Sequence, residues 1–453
     1  MSTAPAHKAS SRRYRVAVVG AGPAGFYAAE ALLQAPEGVA VDLFDRLPTP
    51  YGLVRYGVAP DHPKLKQVIT VFRAIAGMPG FRFLGNVTVG QDVTLDELRR
   101  HYHAVILACG AQRDRPLEVP GADLSGVHGG MAFVGWYNGH PDQRDLALDL
   151  SGRTAVVLGL GNVALDVARI LSKPAEALAN TDITAHALDA LARSNLDRII
   201  VAGRGGPAQA RCSEKELREF AALPAGVTSA DSGNYQNAPE SGVPALFARL
   251  PTGERQSSRR RHFTFGMRPA AILGDERVRA VRFIRSKVRD GVAQPDPAGE
   301  EETVDVAADL VVACIGSLAT HVAGLPLVAD ASAARHELGR VLDERGGVPG
   351  LYVSGWIKRG ANGTIGTNRA DSVETVACLL ADLRSLPEPP RPVEAITGAN
   401  TPIGRASVSF SQWEAIDSRE VILGSTQLKP REKFTCIQSM LAVSRENANQ
   451  YTN

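Results

Sequence analysis

The apolar residues of this chain come in short runs set between glycine-rich turns, and their spacing changes from one stretch to the next. Residues 16–19 are wholly apolar and bounded by Arg15 and Gly20, which predicts a short parallel strand buried on both faces. An alanine-rich run to Leu33 follows as a helix, and residues 39–44 form a second apolar run that ends at Asp45. Pro63 is placed to open a helix over 64–78, with Asp61 or His62 near its N-cap. Strand 81–87, a short helix over 94–102 and strand 104–110 complete a βαβ-type half. The same grammar restarts at Thr154 with a strand, a glycine turn, a helix and a further strand over 198–205. Ser213 and Glu216 have the spacing of a capping box that opens the next helix, and Glu219 falls on the same face of it. Residues 228–256 are polar and weakly periodic, so they read as loop. Alternation over 259–289 predicts antiparallel strands, and 308–316 is another buried strand. The remainder reads as a strand, a glycine-rich loop and a helix over 351–383, then helical stretches over 412–423 and 431–444.

Chemistry enters at the two turns. Gly20, Gly22 and Gly25 stand in G-x-G-x-x-G spacing between a strand and a helix. The first glycine permits a tight turn, the second lets a pyrophosphate approach the backbone, and the third lets the helix pack close to the strand. Phosphate placed there sits on a helix N-terminus, where free N–H groups and the dipole favour anions. Asp45, at the tip of the second strand, is positioned to accept a ribose hydroxyl, 25 positions after Gly20, where about 20 is usual. In the second unit Gly159 and Gly161 supply G-x-G and Ala164 takes the third place, an accepted variant. Asn162 reads as the N-cap of the helix that follows. Arg204 occupies the tip of strand 198–205 in place of an acid, the usual device for the 2′-phosphate of NADP(H). Two such units in tandem predict a protein that brings two nucleotides together.

Composition narrows the classes. At 453 residues the chain has room for two to three domains. Its 44% hydrophobic content and net charge of +2 are ordinary for a globular protein and do not suggest bulk nucleic-acid binding. No uninterrupted apolar stretch approaches the ~18 residues of a membrane span. Residues 1–13 carry basic residues and serines, no acid and no apolar core. They read as a disordered cytosolic tail; a secretory signal is not expected, and a transit peptide has little room before Tyr14. The five cysteines are far apart, with no C-x-x-C or C-x₄-C. A disulfide framework, an iron–sulfur cluster and a redox-active dithiol all lose support. No metal-ligand spacing is visible among the 10 histidines and 5 cysteines. Arg259, Arg260, Arg261 and His262, with Arg268 nearby, form the one basic cluster. It reads either as a solvated strand edge or as a docking surface that steers an acidic partner.

Several stretches carry a more specific likeness: VVGAGPAGFYAAEAL, PYGLVRYGVAPDHPKLK, GLGNVALDVARIL, the ELRE run, GWIKRGANGTIGTN and the closing PREKF. Together they resemble the adrenodoxin-reductase-like ferredoxin–NADP⁺ reductases across residues 14–445, nearly the whole chain. The loop GLVRYGVAPDHP is the most specific piece, since nothing in the general dinucleotide grammar requires it. The resemblance implies an α/β fold of the glutathione-reductase type, with two interleaved Rossmann-like three-layer domains. Residues 14–113 plus 322–453 would form an FAD domain, and 114–321 an inserted NADP domain. It implies a flavoprotein that takes hydride from NADPH and passes single electrons to a small iron–sulfur ferredoxin, expected as a monomer, and the cytosolic reading of the tail places it in the cytoplasm. Gly20, Gly22, Ala24, Gly25, Asp45, Leu53 and Val87 would touch FAD, with Trp356, Gly363, Thr364 and Ile365 closing over it. Leu160, Gly161, Asn162, Val163, Arg204 and Glu216 would hold NADP(H). His62 and Glu219 would shape the nicotinamide pocket, and an acidic ferredoxin would dock at Arg259, Arg260 and Arg261.

The chain also departs from that family. Asp45 is one methylene shorter than the usual glutamate, and Leu160 replaces a polar residue between the glycines. Gly205 stands where the family usually has a second arginine, while Arg211, at a position usually small and apolar, offers a substitute from the adjoining loop. NADPH is therefore expected to be preferred by a narrower margin than is typical. A flavin-dependent monooxygenase would share both turns but lack the GLVRYGVAPDHP loop. A non-enzymatic nicotinamide sensor would be inert to NADPH, and an amidotransferase-type electron-input subunit would carry cysteine clusters that this chain lacks.

Overall fold

Alternate residues of the strand Tyr14–Val19 part to opposite sides: Val16 and Val18 enter one apolar core, Ala17 and Val19 another. A strand buried on both faces belongs inside a parallel sheet. That is where it lies in the computed structural model, which describes residues 14–224, 226–231, 241–255, 257–294 and 302–448. The tail expected over 1–13 lies outside the described residues. In the first sheet Tyr14–Val19 is flanked by Val39–Phe44 and Ala104–Leu107, with Phe81–Leu84 beyond the former and Gly346–Val353 beyond the latter, all parallel. Arg340–Asp343 and His336–Glu337 extend it antiparallel at the Gly346–Val353 edge. The one acid in the second strand, Asp42, is buried but held by Arg82 Nε at 2.8 Å and Tyr102 Oη at 2.7 Å.

A second parallel sheet runs in the order Val127–Gly129, Leu310–Ala313, Thr154–Leu158, Arg198–Ala202, Arg260–Thr264, Val227–Ala230. Its central strand divides its side chains in the same way: Ala155 and Val157 face one core, Val156 and Leu158 the other. The antiparallel strands Met267–Gly274, Val278–Arg285 and Glu302–Ala307 form a small sheet on this unit. The chain passes between the two parallel sheets twice, and the crossings, Arg113–Asp114 and Ser317–Leu318, pair antiparallel. Helix Thr367–Asp382 returns to pack on helix Pro23–Leu33, where Ser372 Oγ donates to the Ala24 carbonyl at 3.0 Å. The C-terminal stretch is thereby joined to the first glycine turn.

Several expected elements changed on folding. Helix 64–78 is broken into Pro63–Lys66 and Ile69–Ala76, because Gln67 and Thr70 N–H donate three residues back, to Lys64 and Gln67, rather than four. Within 228–256, read as loop, the structure has strand Val227–Ala230 and helix Gly242–Ala248, while residues 232–240 lie outside the described residues. The alternating stretch at 259–264 is a parallel interior strand, not an antiparallel one; only the strands after it are antiparallel. The last helix is Ile437–Ala448, six residues later than expected at its start. No helix among the described residues is long and apolar enough to cross a membrane.

Candidate active site

The glycines of both turns divide their labour as the spacing requires. Gly20 has φ +107°, and a Cβ there would stand 2.5 Å from the Ala108 carbonyl oxygen. Gly159 matches it, with φ +129° and a Cβ position 2.3 Å from the Cys314 carbonyl oxygen. Gly25 packs so closely under its turn that a Cβ would lie 1.9 Å from Gly20 O. Gly22 and Gly161, in contrast, face open space, with nothing within 4 Å of an added Cβ. Each is the N-cap of its helix, with no side-chain cap and no acid in the first turn. The unfilled hollow and the uncapped donors are what a diphosphate needs.

A cleft of about 850 Å³ joins the two turns. Gly20, Gly22, Ala24, Asp45, Leu53 and Val87 line it from the first unit, and Trp356, Gly363, Thr364 and Ile365 from the returning C-terminal stretch. Asn162, Val163 and Glu216 line it from the second unit. Gly25 lies beneath the first turn, and Leu160, Gly161 and Arg204, expected to hold the second nucleotide, do not line the cleft. Trp356 Nε1 is buried with no hydrogen-bond partner among the described residues, an orphaned donor on the wall of a cleft. With the hollow at Gly22, it makes the residues present a fit for a flavin dinucleotide. Both oxygens of Asp45, expected to face a ribose, are engaged by backbone: Oδ2 accepts from Ala21 N–H at 2.7 Å and Oδ1 from Leu47 N–H at 2.9 Å. Burial pushes its carboxyl up, and those two N–H bonds pull the other way.

The loop GLVRYGVAPDHP is held from the far end of the chain. Arg55 Nη1 donates to Glu420 Oε2 at 2.9 Å, and its guanidinium lies 5.1 Å from the ring of Trp413. Tyr56 Oη and Thr49 Oγ1 are 2.8 Å apart. Anchored there, Leu53 borders the cleft and His62 is carried across to the second unit. His62 Nε2 is 3.1 Å from Glu219 Oε1 and 3.8 Å from Glu216 Oε2. A carboxylate only accepts, so the hydrogen is on Nε2. The two residues expected to shape one pocket thus meet directly, in a contact made between two units of the chain. These three side chains place ligand-capable atoms within 4.8 Å of one another, but Glu219 is taken up by His62 and Glu216 by an arginine.

That arginine, Arg169, was not singled out from the sequence. It is fully buried and collects three carboxylates. Its Nε and Nη2 donate to Asp61 at 2.9 and 3.0 Å, and Nη1 donates to Glu216 at 3.3 Å. Its Nη2 is 2.7 Å from Asp166 Oδ1, an ion contact whose angle is off line for a hydrogen bond. Lys173 Nζ also donates to Asp61, at 2.6 Å. The signal in the sequence is Asp166 and Arg169 at i and i+3 on one helix, with Lys173 just past its end, a face that needs a buried counter-charge. Two local readings change accordingly. Ser213 Oγ does cap Glu216 N–H, but the Glu216 carboxylate turns away to Arg169 rather than closing a capping box. Asn162 is the first helical residue rather than the N-cap, and its Oδ1 accepts from Ser213 N–H at 2.8 Å.

Asp166 lines the cleft, and burial pushes its carboxyl up to about 6 against the pull of Arg169. A carboxyl raised above its unfolded value binds its proton more tightly in the folded chain. Stability is then lost as pH rises from about 4 to about 6, and stays lost above. Asp166→Asn is expected to stabilise the protein by about 1–3 kcal/mol at pH 8 and by little at pH 4. Urea unfolding at the two pH values checks this; an equal shift at both would contradict it.

The basic cluster is largely tied into the fold. Arg261 is buried, with Nε on Thr228 Oγ1 at 2.8 Å and Nη2 on the Leu223 carbonyl at 3.1 Å. Arg260 pairs with Asp197 at 3.2 Å, and Arg259 Nη1 donates to the Ser172 carbonyl at 2.7 Å, at the end of helix Asn162–Ser172. Strand Arg260–Thr264 is interior, so the edge reading fails; of the three arginines expected to dock a ferredoxin, Arg261 is buried and Arg259 and Arg260 are half-buried and already paired. The five cysteines are free. Cys109, on the cleft wall, is pushed up to about 12 by burial and by Asp45, which keeps it a neutral thiol.

Residues 14–202 match the family described as Pyridine nucleotide-disulphide oxidoreductase. The chain is 42% identical to the mitochondrial NADPH:adrenodoxin oxidoreductase of Homo sapiens, over 94% of its own length and 91% of that protein's. It is 39% identical to the NADPH-ferredoxin reductase FprA of Mycobacterium tuberculosis, over 95% and 99%. The solved structure of M. tuberculosis FprA in complex with NADPH matches with a TM-score of 0.87 at 37% identity, covering 96% of this chain and all of that one. With that likeness sustained from the first glycine turn to the C-terminal helices, the chain belongs to the adrenodoxin-reductase-like family of ferredoxin–NADP⁺ reductases.

Proposed function

We propose that the protein is an FAD-dependent oxidoreductase that draws hydride from NADPH and delivers single electrons to a small iron–sulfur ferredoxin. The observation that carries this is one continuous cleft bordered by both glycine-rich turns, with no cysteine pair to relay electrons. When bound, FAD supplies an acceptor that can hold two electrons and release them one at a time. Residues 14–113 and 322–453 hold the flavin and 114–321 the nicotinamide nucleotide. Gly20, Gly22, Ala24 and Gly25 form the floor and turn for the flavin diphosphate, Asp45 braces that turn, and Leu53, Val87, Trp356 and Gly363 to Ile365 shield the ring from water. Leu160, Gly161, Asn162, Val163, Arg204 and Glu216 hold NADPH. A single chain completes both turns and the cleft, which supports a monomer. Five unpaired cysteines are the ordinary state in the cytoplasm.

Anaerobic stopped-flow mixing of the purified yellow protein with NADPH, followed by addition of a [2Fe–2S] ferredoxin, tests the reading. Flavin bleaching and then ferredoxin reduction are expected; a flavin left oxidised by NADPH would end it. His62 and Glu219 position the nicotinamide and its polar edge, for hydride transfer asks for alignment more than for proton transfer. His62→Ala is therefore expected to slow flavin reduction by well under the ~10⁴-fold that removal of a general acid can cost. Loss beyond that value would make His62 an essential acid.

A further inference from the structure

The second turn has a lobe of chain attached to it whose two ends carry arginines. Arg204 follows Gly203 at the tip of strand Arg198–Ala202, and Arg211 lies at the other end of the lobe, before helix Glu214–Ala221. The lobe is closed by backbone and amide bonds. Ala208 N–H donates to the Gly291 carbonyl at 2.9 Å, and Gln209 Oε1 accepts from Gly206 N–H and Ala293 N–H, each at 2.8 Å. Both of its ends meet one residue, Leu160. The Leu160 side chain covers Gly203 so closely that a Cβ there would lie 2.1 Å from Leu160 Cδ1. The Leu160 carbonyl accepts from Arg211 N–H at 2.9 Å and Cys212 N–H at 3.0 Å. Next in line, Ser213 N–H is held by Asn162. Gly203, the residue before Arg204, and Arg211 are thus both held against the residue between Gly159 and Gly161. Both arginines are exposed, and neither guanidinium has a hydrogen-bond or ion-pair partner among the described residues. Gly205, beside Arg204, contributes no side chain.

We propose that Arg211 is a specificity-determining residue, which closes with Arg204 on the 2′-phosphate of NADPH and supplies the second positive charge of that subsite from the far end of the lobe. The proposal rests on the reading of the second turn as the NADPH site. A phosphate monoester is close to a dianion at neutral pH, and planar guanidinium donors suit its oxygens, whereas a lysine offers only a point charge. Leu160, standing where a polar side chain would offer its own hydrogen bonds, acts here as the apolar spacer that sets the two arginines apart.

Calorimetric titration with adenosine 2′,5′-bisphosphate and with 5′-AMP, which lacks only the 2′-phosphate, isolates the subsite without any redox readout. Arg211→Ala is expected to weaken the bisphosphate about 10- to 100-fold, the range of one charged hydrogen bond, and to leave 5′-AMP unchanged. Arg211→Lys should fall between, and the NADPH-to-NADH ratio of kcat/KM should drop by the same factor as bisphosphate binding. If Arg211→Ala keeps both the bisphosphate affinity and the ratio while NADPH still bleaches the flavin, this proposal is overturned and the NADPH reading stands. Equal weakening of 5′-AMP would also overturn it, by showing that Arg211 only supports the turn. A wild-type protein that binds the bisphosphate no better than 5′-AMP would take down both.

Discussion

Gly22→Val is expected to give a folded protein that purifies colourless. A Cβ at Gly22 meets nothing within 4 Å, and its φ of −83° is open to any residue, so the chain itself has no reason to object. The space that valine would fill is the hollow in front of the uncapped helix Pro23–Leu33, where the proposed function seats the flavin diphosphate within hydrogen-bond distance of the backbone. Losing two such charge-assisted bonds, at about 1.5–3 kcal/mol each, weakens FAD roughly 10²- to 10⁴-fold. Gly25→Ala makes the contrasting case. There the added carbon stands 1.9 Å from Gly20 O, so helix and turn must separate before any ligand is considered. The pair of variants therefore splits cofactor binding from folding. Far-UV circular dichroism should find Gly22→Val as structured as the parent, while its absorbance near 450 nm is lost; Gly25→Ala should lose thermal stability as well. Stoichiometric flavin in Gly22→Val would show that the diphosphate lies elsewhere.

Much of this was readable from one sequence because glycine turns are local. Residues 39–44 were bounded as a strand by their own apolar run, and the structure keeps those bounds as Val39–Phe44. The order of glycines before each helix decided where a phosphate could approach, and no distant residue was needed to say so. The failures have a common cause: a charged side chain does not announce whether its partner is water or a residue far along the chain. Arg259 to His262 looked like a solvated edge, yet strand Arg260–Thr264 runs between two parallel neighbours, and its arginines end on Thr228, Leu223 and Asp197. Glu216 satisfied a local capping rule on paper and spent its carboxylate on Arg169 instead. The Asp61–Arg169 contact spans 108 positions and the Arg55–Glu420 contact 365; periodicity has no access to either.

Arg169→Met should destabilise the protein by about 3–5 kcal/mol, the cost of removing one side of a buried ion network. The methionine fills a comparable space, so packing is nearly conserved and the loss is electrostatic. Asp61 keeps Lys173, but Glu216 and Asp166 would face each other and Glu219 with His62 as the remaining neighbour able to carry positive charge. Protonation relieves this in part. Asp166 already titrates at about 6 in the intact network, and without Arg169 its carboxyl must rise further. The deficit of the variant should thus be greatest near pH 8 and shrink towards pH 5, where a proton replaces the missing cation. Combining Arg169→Met with Asp166→Asn should recover part of the loss at pH 8 and little at pH 5, since the amide removes the charge that the proton would neutralise. The position of the network adds a functional consequence. Asp61 and His62 belong to the loop of the first unit, Arg169 and Glu216 to helices of the second, so the same arginine that neutralises the acids fixes how the two glycine turns face each other. Flavin reduction by NADPH should consequently slow in Arg169→Met under conditions where the protein is fully folded and fully loaded with flavin. Unfolding curves in urea at pH 5 and 8, with stopped-flow reduction at each, measure both effects. Unchanged stability across that range would mean that water, not Arg169, balances the three carboxylates.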